Sequence, residues 1–243
     1  MSYDLGEWRR FGLDALTSQL RKMHVVQHST SIEVTADTYL SAPILGWGFF
    51  ASINYTVSGN GALRVNVHLK PHGPAPADLP RMGLDLLLAD ELDNASWFGL
   101  GPGEAYADKK RSQKVGIYNA TTAELHTPYE VPQEGGNRME TRWLHVHDSR
   151  GWGLRVTRVK EESDKQPTEL FQWVATRYSA EAVEAARHAP ELVPEKRVRL
   201  RLDAESCGVG TGACGPRTLD MYRVKCEERK FGFDLQPVFA EIC

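Results

Sequence analysis

The feature that most constrains this chain is a period of two. In 63-LRVNVHL-69, Leu63, Val65, Val67 and Leu69 alternate with Arg64, Asn66 and His68. In 142-RWLHVHD-148, Leu144 and Val146 take one side, and Trp143, His145 and His147 the other. The runs 153-GLRVTRV-159 and 197-RVRLRLD-203 repeat the pattern. A helix, with 3.6 residues per turn, would scatter these apolar side chains around its circumference; a strand sorts them onto one face. Strands with one wet face belong in antiparallel sheets. Glycine- and proline-rich turn signals separate the runs at 58-SGNGA-62, 71-PHGPAP-76, 133-QEGGN-137 and 149-SRGWG-153. With 243 residues, no repeat and no linker, the chain reads as a single large β-sandwich domain over residues 1–243.

Helical signals are few. The segment 179-SAEAVEAARHAPEL-192 has Ser179 as N-cap, early Glu181 and Glu184, and Arg187 and His188 before Pro190. A weaker pattern, 7-EWRRFGLDALTSQL-20, fits a helix or the approach to a strand.

The net charge of −3 implies no pull toward nucleic acid or anionic lipid. No apolar run approaches the roughly 20 residues of a membrane span. The opening MSYDLGEWRR lacks the apolar stretch of a signal peptide, so a cytoplasmic location is expected. Cys207, Cys214, Cys226 and Cys243 form no CxxC pair and are expected as free thiols. No cofactor and no metal are expected. His145 and His147 lie on one strand face, and Asp148 or His126 could complete a metal set. Two histidines at i, i+2 without a specified third ligand are a weak signal, however.

The stretch 97-WFGLGPGEAYADKK-110 is unusual in crowding glycines and a proline between aromatic and charged residues. It resembles a signature turn in the C-terminal β-sandwich domain of the large β-galactosidases of glycoside hydrolase family 2. Further matches occur in the family's order: 8-WRRFGLDAL-16, 80-PRMGLDLLL-88, 128-PYEVPQEGGNRMETRW-143, the Arg177-Tyr178-Ser179 lead into a helix, and 207-CGVGTGACGP-216. The resemblance covers almost the whole chain. It implies an all-β, mostly antiparallel, galactose-mutarotase-like supersandwich with one short helix, shortened at its N-terminal side.

Two departures shape the functional expectation. The catalytic barrel of those enzymes is absent, and no Asn-Glu dipeptide of the family's acid/base type occurs. Retaining hydrolysis needs two carboxylates about 5–5.5 Å apart flanking the sugar. In the late glycine-rich loop, where some relatives offer a tryptophan, this chain has Ala213, Cys214 and Gly215. An inert thiol is the expected role of Cys214, since no base is specified beside it.

Candidate site residues follow from chemistry and position. Gly99, Gly101 and Gly103 permit positive φ or close backbone approach, and Pro102 fixes its own φ. Such a turn could present Glu104 and Tyr106 at a sheet rim, or simply brace a corner. Asn137, Arg138 and Arg142 follow the Gly135-Gly136 turn and suit hydroxyl or carboxylate ligands; the plain alternative is a buried network with Glu134 or Glu104 as counter-ion. The unperturbed pKa of a histidine lies near working pH, so His145 suits acid–base work, with His147 beside it. Mutarotases of the implied superfold use a histidine and a carboxylate, so His145 and Glu104 stand as catalytic candidates, although no local motif carries those roles across. Trp47, in 46-GWG-48, is expected to be the most exposed of the tryptophans and a ligand platform.

The leading expectation is a stand-alone module binding a sugar or sugar-sized polar molecule on a concave face, without glycosidase activity of its own. A non-hydrolytic mutarotase, isomerase or cyclase is the alternative. A further alternative is the small subunit of a split β-galactosidase with a barrel-bearing partner. A sheet left incomplete at its N-terminal side could be covered in cis by Trp8, Phe11 and Leu13, or by a second copy in a homodimer.

Overall fold

The computed structural model describes residues 3–160, 170–210 and 216–239. The alternating segments become strands as expected. A meander opens the fold: β1 (Thr17–Gln27), β2 (Ser31–Ser41), β3 (Gly48–Ser58) and β4 (Leu63–His72). Then come β5 (Asp78–Leu79), β6 (Arg81–Leu88), β7 (Asn94–Gly101), β8 (Lys114–Thr121), β9 (Arg138–Thr141) and β10 (Trp143–His147). The series closes with β11 (Gly153–Arg158), β12 (Phe171–Thr176), β13 (Val198–Ser206), β14 (Val224–Lys225) and β15 (Arg229–Val238).

Nine strands form a large antiparallel sheet in the order β1-β2-β3-β4-β15-β11-β10-β7-β8, and four form a small one, β6-β13-β12-β9. β14 pairs with β5. The chain is thus all-β and mostly antiparallel.

The inner faces of the two sheets meet in one core. Trp97, Leu144, Val156, Phe231 and Phe233 of the large sheet pack with Phe171, Trp173, Leu200 and Leu202 of the small one. Trp97 meets Trp173 edge-on at 5.3 Å, and Phe171 meets Phe233 at 5.7 Å. Edge-to-face pairs of this kind add to the large apolar area that such rings remove from water.

The small sheet does not reach the far end of the large one. β1 is exposed along its whole length. On the inward-facing side of β1–β3, Leu20, Met23, Val25, Ile32 and Val57 remain between 45% and 60% exposed. Their cross-strand partners place them on the same side as the core residues of β3 and β4.

Three short α-helices occur among the described residues, rather than one: α1 (Tyr3–Arg10), α2 (Thr122–Leu125) and α3 (Ala180–Ala185). The weaker N-terminal pattern begins and ends earlier than expected. Gly12, at φ 65°, turns the chain out of α1, a 3-10 turn follows at Leu13–Ala15, and β1 starts at Thr17. Phe11 and Leu13 pack on the core, and the Trp8 indole donates to Asp78 at 3.0 Å. Ser179 caps α3 as read, its hydroxyl accepting from the Ala182 N–H at 3.1 Å. That helix stops at Ala185: Ala186 turns extended, and the next N–H, of Arg187, donates to the Glu191 carboxylate at 2.9 Å instead of continuing the helix. A separate 3-10 turn takes up Ala189–Glu191. α2 escaped the sequence reading, although Thr121 and Glu124 form its capping box.

Trp47 corrects an expectation. It is 2% exposed, donates its indole N–H to the Phe11 carbonyl at 3.1 Å, and packs edge-on against Phe11 and Phe49. Of the flanking glycines, Gly48 permits close packing rather than display: a Cβ there would lie 2.4 Å from the Leu40 carbonyl oxygen.

Candidate functional site

The expected site residues fall into two regions. The first is the turn beyond β7. Gly99, Gly101 and Gly103 are absent from the positive-φ residues and serve close approach instead. A Cβ on Gly99 would meet Thr141 at 2.8 Å, and one on Gly101 would meet the Tyr118 ring at 2.6 Å. Glu104 is buried beneath this turn. Its carboxylate accepts from Lys109 Nζ at 2.5 Å, from the Gly136 N–H at 2.8 Å, and from the Tyr129 hydroxyl. Burial alone would raise its pKa, but these donors, led by Lys109 and Tyr129, hold it below the usual carboxylate range.

Arg138 is buried nearby and donates to the carbonyls of Leu125, Gly136 and Pro102 at 2.7–3.0 Å. Its guanidinium lies over the Trp97 ring at 5.6 Å. Burial brings its pKa down to about 10. Asn137 is buried too, with its amide N–H donated to the Ala105 carbonyl at 2.8 Å and to Gln172 at 3.0 Å. Tyr106 is 2% exposed and donates to Glu134 at 3.1 Å. Glu134 in turn meets Arg81 and Arg201 on the outer side of the small sheet, where Asp203 is buried against Arg81. Burial pushes Asp203 up to about 6, against the pull of the two arginines. Only Asn137 Oδ1, Arg138 Nε and Arg201 Nε of this region are buried without a partner among the described residues. Glu104, Tyr106, Asn137 and Arg138 therefore spend their hydrogen bonds mainly on the fold itself.

The second region is the open face of the large sheet, opposite the core. Register brings Asn119, Ser96, His145 and Arg155 side by side across β8, β7, β10 and β11. The His145 and His147 rings adjoin, tilted, with centroids 4.7 Å apart. Ser96 donates to Asn119 Oδ1 at 2.6 Å and lies 3.2 Å from His147 Nε2, while His147 Nδ1 lies 2.8 Å from the Asp148 carbonyl. The Nε2 of His145 is itself buried and has no hydrogen-bond partner among the described residues. Burial, His147 and Arg155, in that order, hold the His145 pKa below the ordinary histidine value. Beside the pair, Trp143 and Phe98 face each other across β10 and β7. Arg155 lies over the Trp143 ring at 5.1 Å, and Arg142 over the Phe98 ring at 5.0 Å.

The structure thus gathers Arg142, His145 and His147 on the open face and sets Glu104, Tyr106, Asn137 and Arg138 apart in the braced turn. No hydrogen bond or ion pair joins His145 to Glu104. Sequence reasoning missed Ser96, Asn119 and Arg155. The alternation of β7 and β11 places Ser96 and Arg155 on a wet face, but nothing local joins them to His145. Among the described residues, no three of His, Cys, Asp and Glu gather as a metal set. Cys207 and Cys226 are free, and burial raises both thiols, Cys226 to about 11. Cys214, Cys243, Ala213 and Gly215 lie outside the described residues. No described helix is long and apolar enough to cross a membrane.

The family model described as "Beta galactosidase small chain" matches residues 2–235. The chain belongs to that family. It is 31% identical over 235 residues to the β-galactosidase of Kluyveromyces lactis, an alignment covering 96% of this chain and 22% of that enzyme. To the Vibrio cholerae β-galactosidase it is 34% identical over 209 residues, covering 85% and 18%. The chain therefore spans about a fifth of the length of these curated relatives. Among solved structures, a GalM/aldose epimerase homologue from C. elegans aligns over 91% of this chain and 70% of its own, at 9% identity and a TM-score of 0.41.

Proposed function

We propose that this chain is a β-galactosidase-derived binding module that holds a sugar-sized polar ligand on the open face of its large sheet and does not hydrolyse glycosides on its own. One observation carries the reading. The open face holds a half-buried Trp143, the adjoining His145 and His147 rings, and hydroxyl and amide groups from Ser96 and Asn119. An aromatic plane beside convergent polar groups suits a sugar, which has an apolar face and a hydroxyl rim. A lone imidazole could also move a proton, but the candidate carboxylate, Glu104, is held by its own donors. Binding is therefore preferred to isomerase or cyclase chemistry.

The test is calorimetric titration with galactose and lactose, alongside a chromogenic galactoside assay. Saturable binding that Trp143→Ala abolishes, with no turnover, is the expected result. Turnover by the purified chain, or no binding of any sugar, overturns it.

A second reading is favoured by the apolar stretch on the inner side of β1–β3. It suits the small subunit of a two-chain β-galactosidase, with a barrel-bearing partner covering that face. Mixing the chain with a β-galactosidase relative deleted for its homologous region should then restore hydrolysis. A dimer mass from the chain alone in light scattering would instead assign the face to a second copy.

A further inference from the structure

The open face carries an imbalance of charge. Arg142 and Arg155 are bound to no carboxylate among the described residues. Each guanidinium rests on an aromatic ring, and Arg142 also donates to the Glu140 carbonyl at 2.7 Å. The carboxylates near them are already neutralised by other cations. Asp234, one strand beyond β11, takes Arg64 bidentately at 2.6 and 2.8 Å. Glu140 takes Lys110 at 2.7 Å. Arg150, Arg177, Arg199 and Arg229, by contrast, each have an acid.

Because Phe98 and Trp143 are register partners, their two guanidiniums sit over neighbouring rings on adjacent strands. Ring stacking fixes a planar fork without using up its in-plane N–H donors, so those donors stay available for an oxyanion. His145, next to Arg155 in the cross-strand row, adds an imidazole that can donate once protonated. Ser96 and Asn119 on the next strands bring hydroxyl and amide but no negative charge.

We infer that the ligand of the open face is an anionic monosaccharide, its carboxylate or phosphate held by Arg142 and Arg155 and its ring set against the Trp143–Phe98 tier. This rests on the proposed reading of that face as a sugar site and names the class of sugar. The shared chemistry is a planar or tetrahedral oxyanion on a hexose; the two sources, a uronic acid and a sugar phosphate, are separated by the test.

The full chain is titrated with galacturonate, galactose 6-phosphate, galactose, acetate and inorganic phosphate. At least one of the two charged sugars should bind about tenfold or more tighter than galactose, since charge-assisted bonds to a bidentate fork are the stronger kind. The preference should collapse to the galactose level in Arg155→Gln and Arg142→Gln, and shrink as salt rises. Arg21→Gln, which removes a guanidinium stacked on Tyr39 at the far end of the sheet, should change nothing.

A second readout does not depend on any variant folding: histidine NMR should show the His145 pKa rising in the complex. The anion would offset Arg155, which with His147 faces that ring; Asp148 is occupied by Arg150 and Asp234 by Arg64. Galactose binding as well as either charged sugar overturns this inference and leaves the sugar-site reading standing. Acetate or phosphate binding as tightly as the charged sugars overturns it as well, by removing the sugar from the recognition. Binding of no sugar at all overturns both.

Discussion

The braced turn around Glu104 and the open face around His145 hold similar side chains and use them in opposite ways. In the turn, Arg138 is sealed inside and meets three main-chain carbonyls. On the face, Arg155 is exposed and rests only on a ring. Glu104 has three kinds of donor around it, whereas Arg142 and Arg155 meet no carboxylate among the described residues and lie over rings. A polar group that has already met its partners inside the fold contributes to stability. An exposed guanidinium such as that of Arg155 is available to something else.

Substitutions should separate the two regions along that line. The largest effect is expected from Arg138→Ala. It strips donors from the carbonyls of Leu125, Gly136 and Pro102 and opens space over Trp97. Loss of about 3 kcal/mol is expected, as for other broken buried networks. For a domain of this size that lowers the melting temperature by roughly 10 °C. Calorimetry measures it directly, and a variant melting like the parent would show that the turn does not rely on this residue.

Glu104→Gln should cost less, about 2 kcal/mol at neutral pH, and it carries a sign in acid. The folded pKa of Glu104 is depressed by its hydrogen bonds, so its stabilisation is complete above the ordinary glutamate value and is lost as pH falls through the folded one. The glutamine variant should therefore lose less stability than the parent between neutral pH and pH ~3. Parallel urea denaturation across that range checks it.

Trp143→Ala should cost only about 1 kcal/mol, because the ring is half-exposed and lies outside the core. Sugar affinity, not melting, is where its loss should register. Arg155→Ala is the smallest in stability, expected within about 0.5 kcal/mol of the parent. If it destabilised as much as Arg138→Ala, the division between the two regions would fail.

The strands were legible because each carries its own evidence: alternation in 63–69, 142–148, 153–159 and 197–203 needs no neighbour to be read. Their order was not. β15 lies between β4 and β11, and such pairing joins residues far apart in sequence, such as Arg64 with Asp234. The site divided in the same way. His145 and His147 could be placed together on a wet face from one heptapeptide. Ser96, Asn119 and Arg155 could not, since they reach that row only through pairing of separate strands. Asn137 and Arg138 were recognisable as hydrogen-bonding groups. Whether they faced ligand or backbone depended on loops folding over the small sheet, which no local pattern reports. Trp47 misled for a related reason: glycines that free a backbone for display also free it for tight packing.

The place of β15 has a consequence for how the molecule comes together. It is the last of the described strands along the chain, yet it occupies the centre of the large sheet and contributes Phe231, Phe233 and Leu235 to the core. During synthesis the meander β1–β4 and the group β11-β10-β7-β8 can each pair locally, but each waits with an open edge until residues 229–238 arrive between them. One ten-residue segment then closes two edges at once. A chain cut just before Arg229 would not be a slightly weaker version of this protein. Its large sheet would be split into two parts, the core would lack Phe231, Phe233 and Leu235, and its fate would be set by how soon an exposed edge finds another chain.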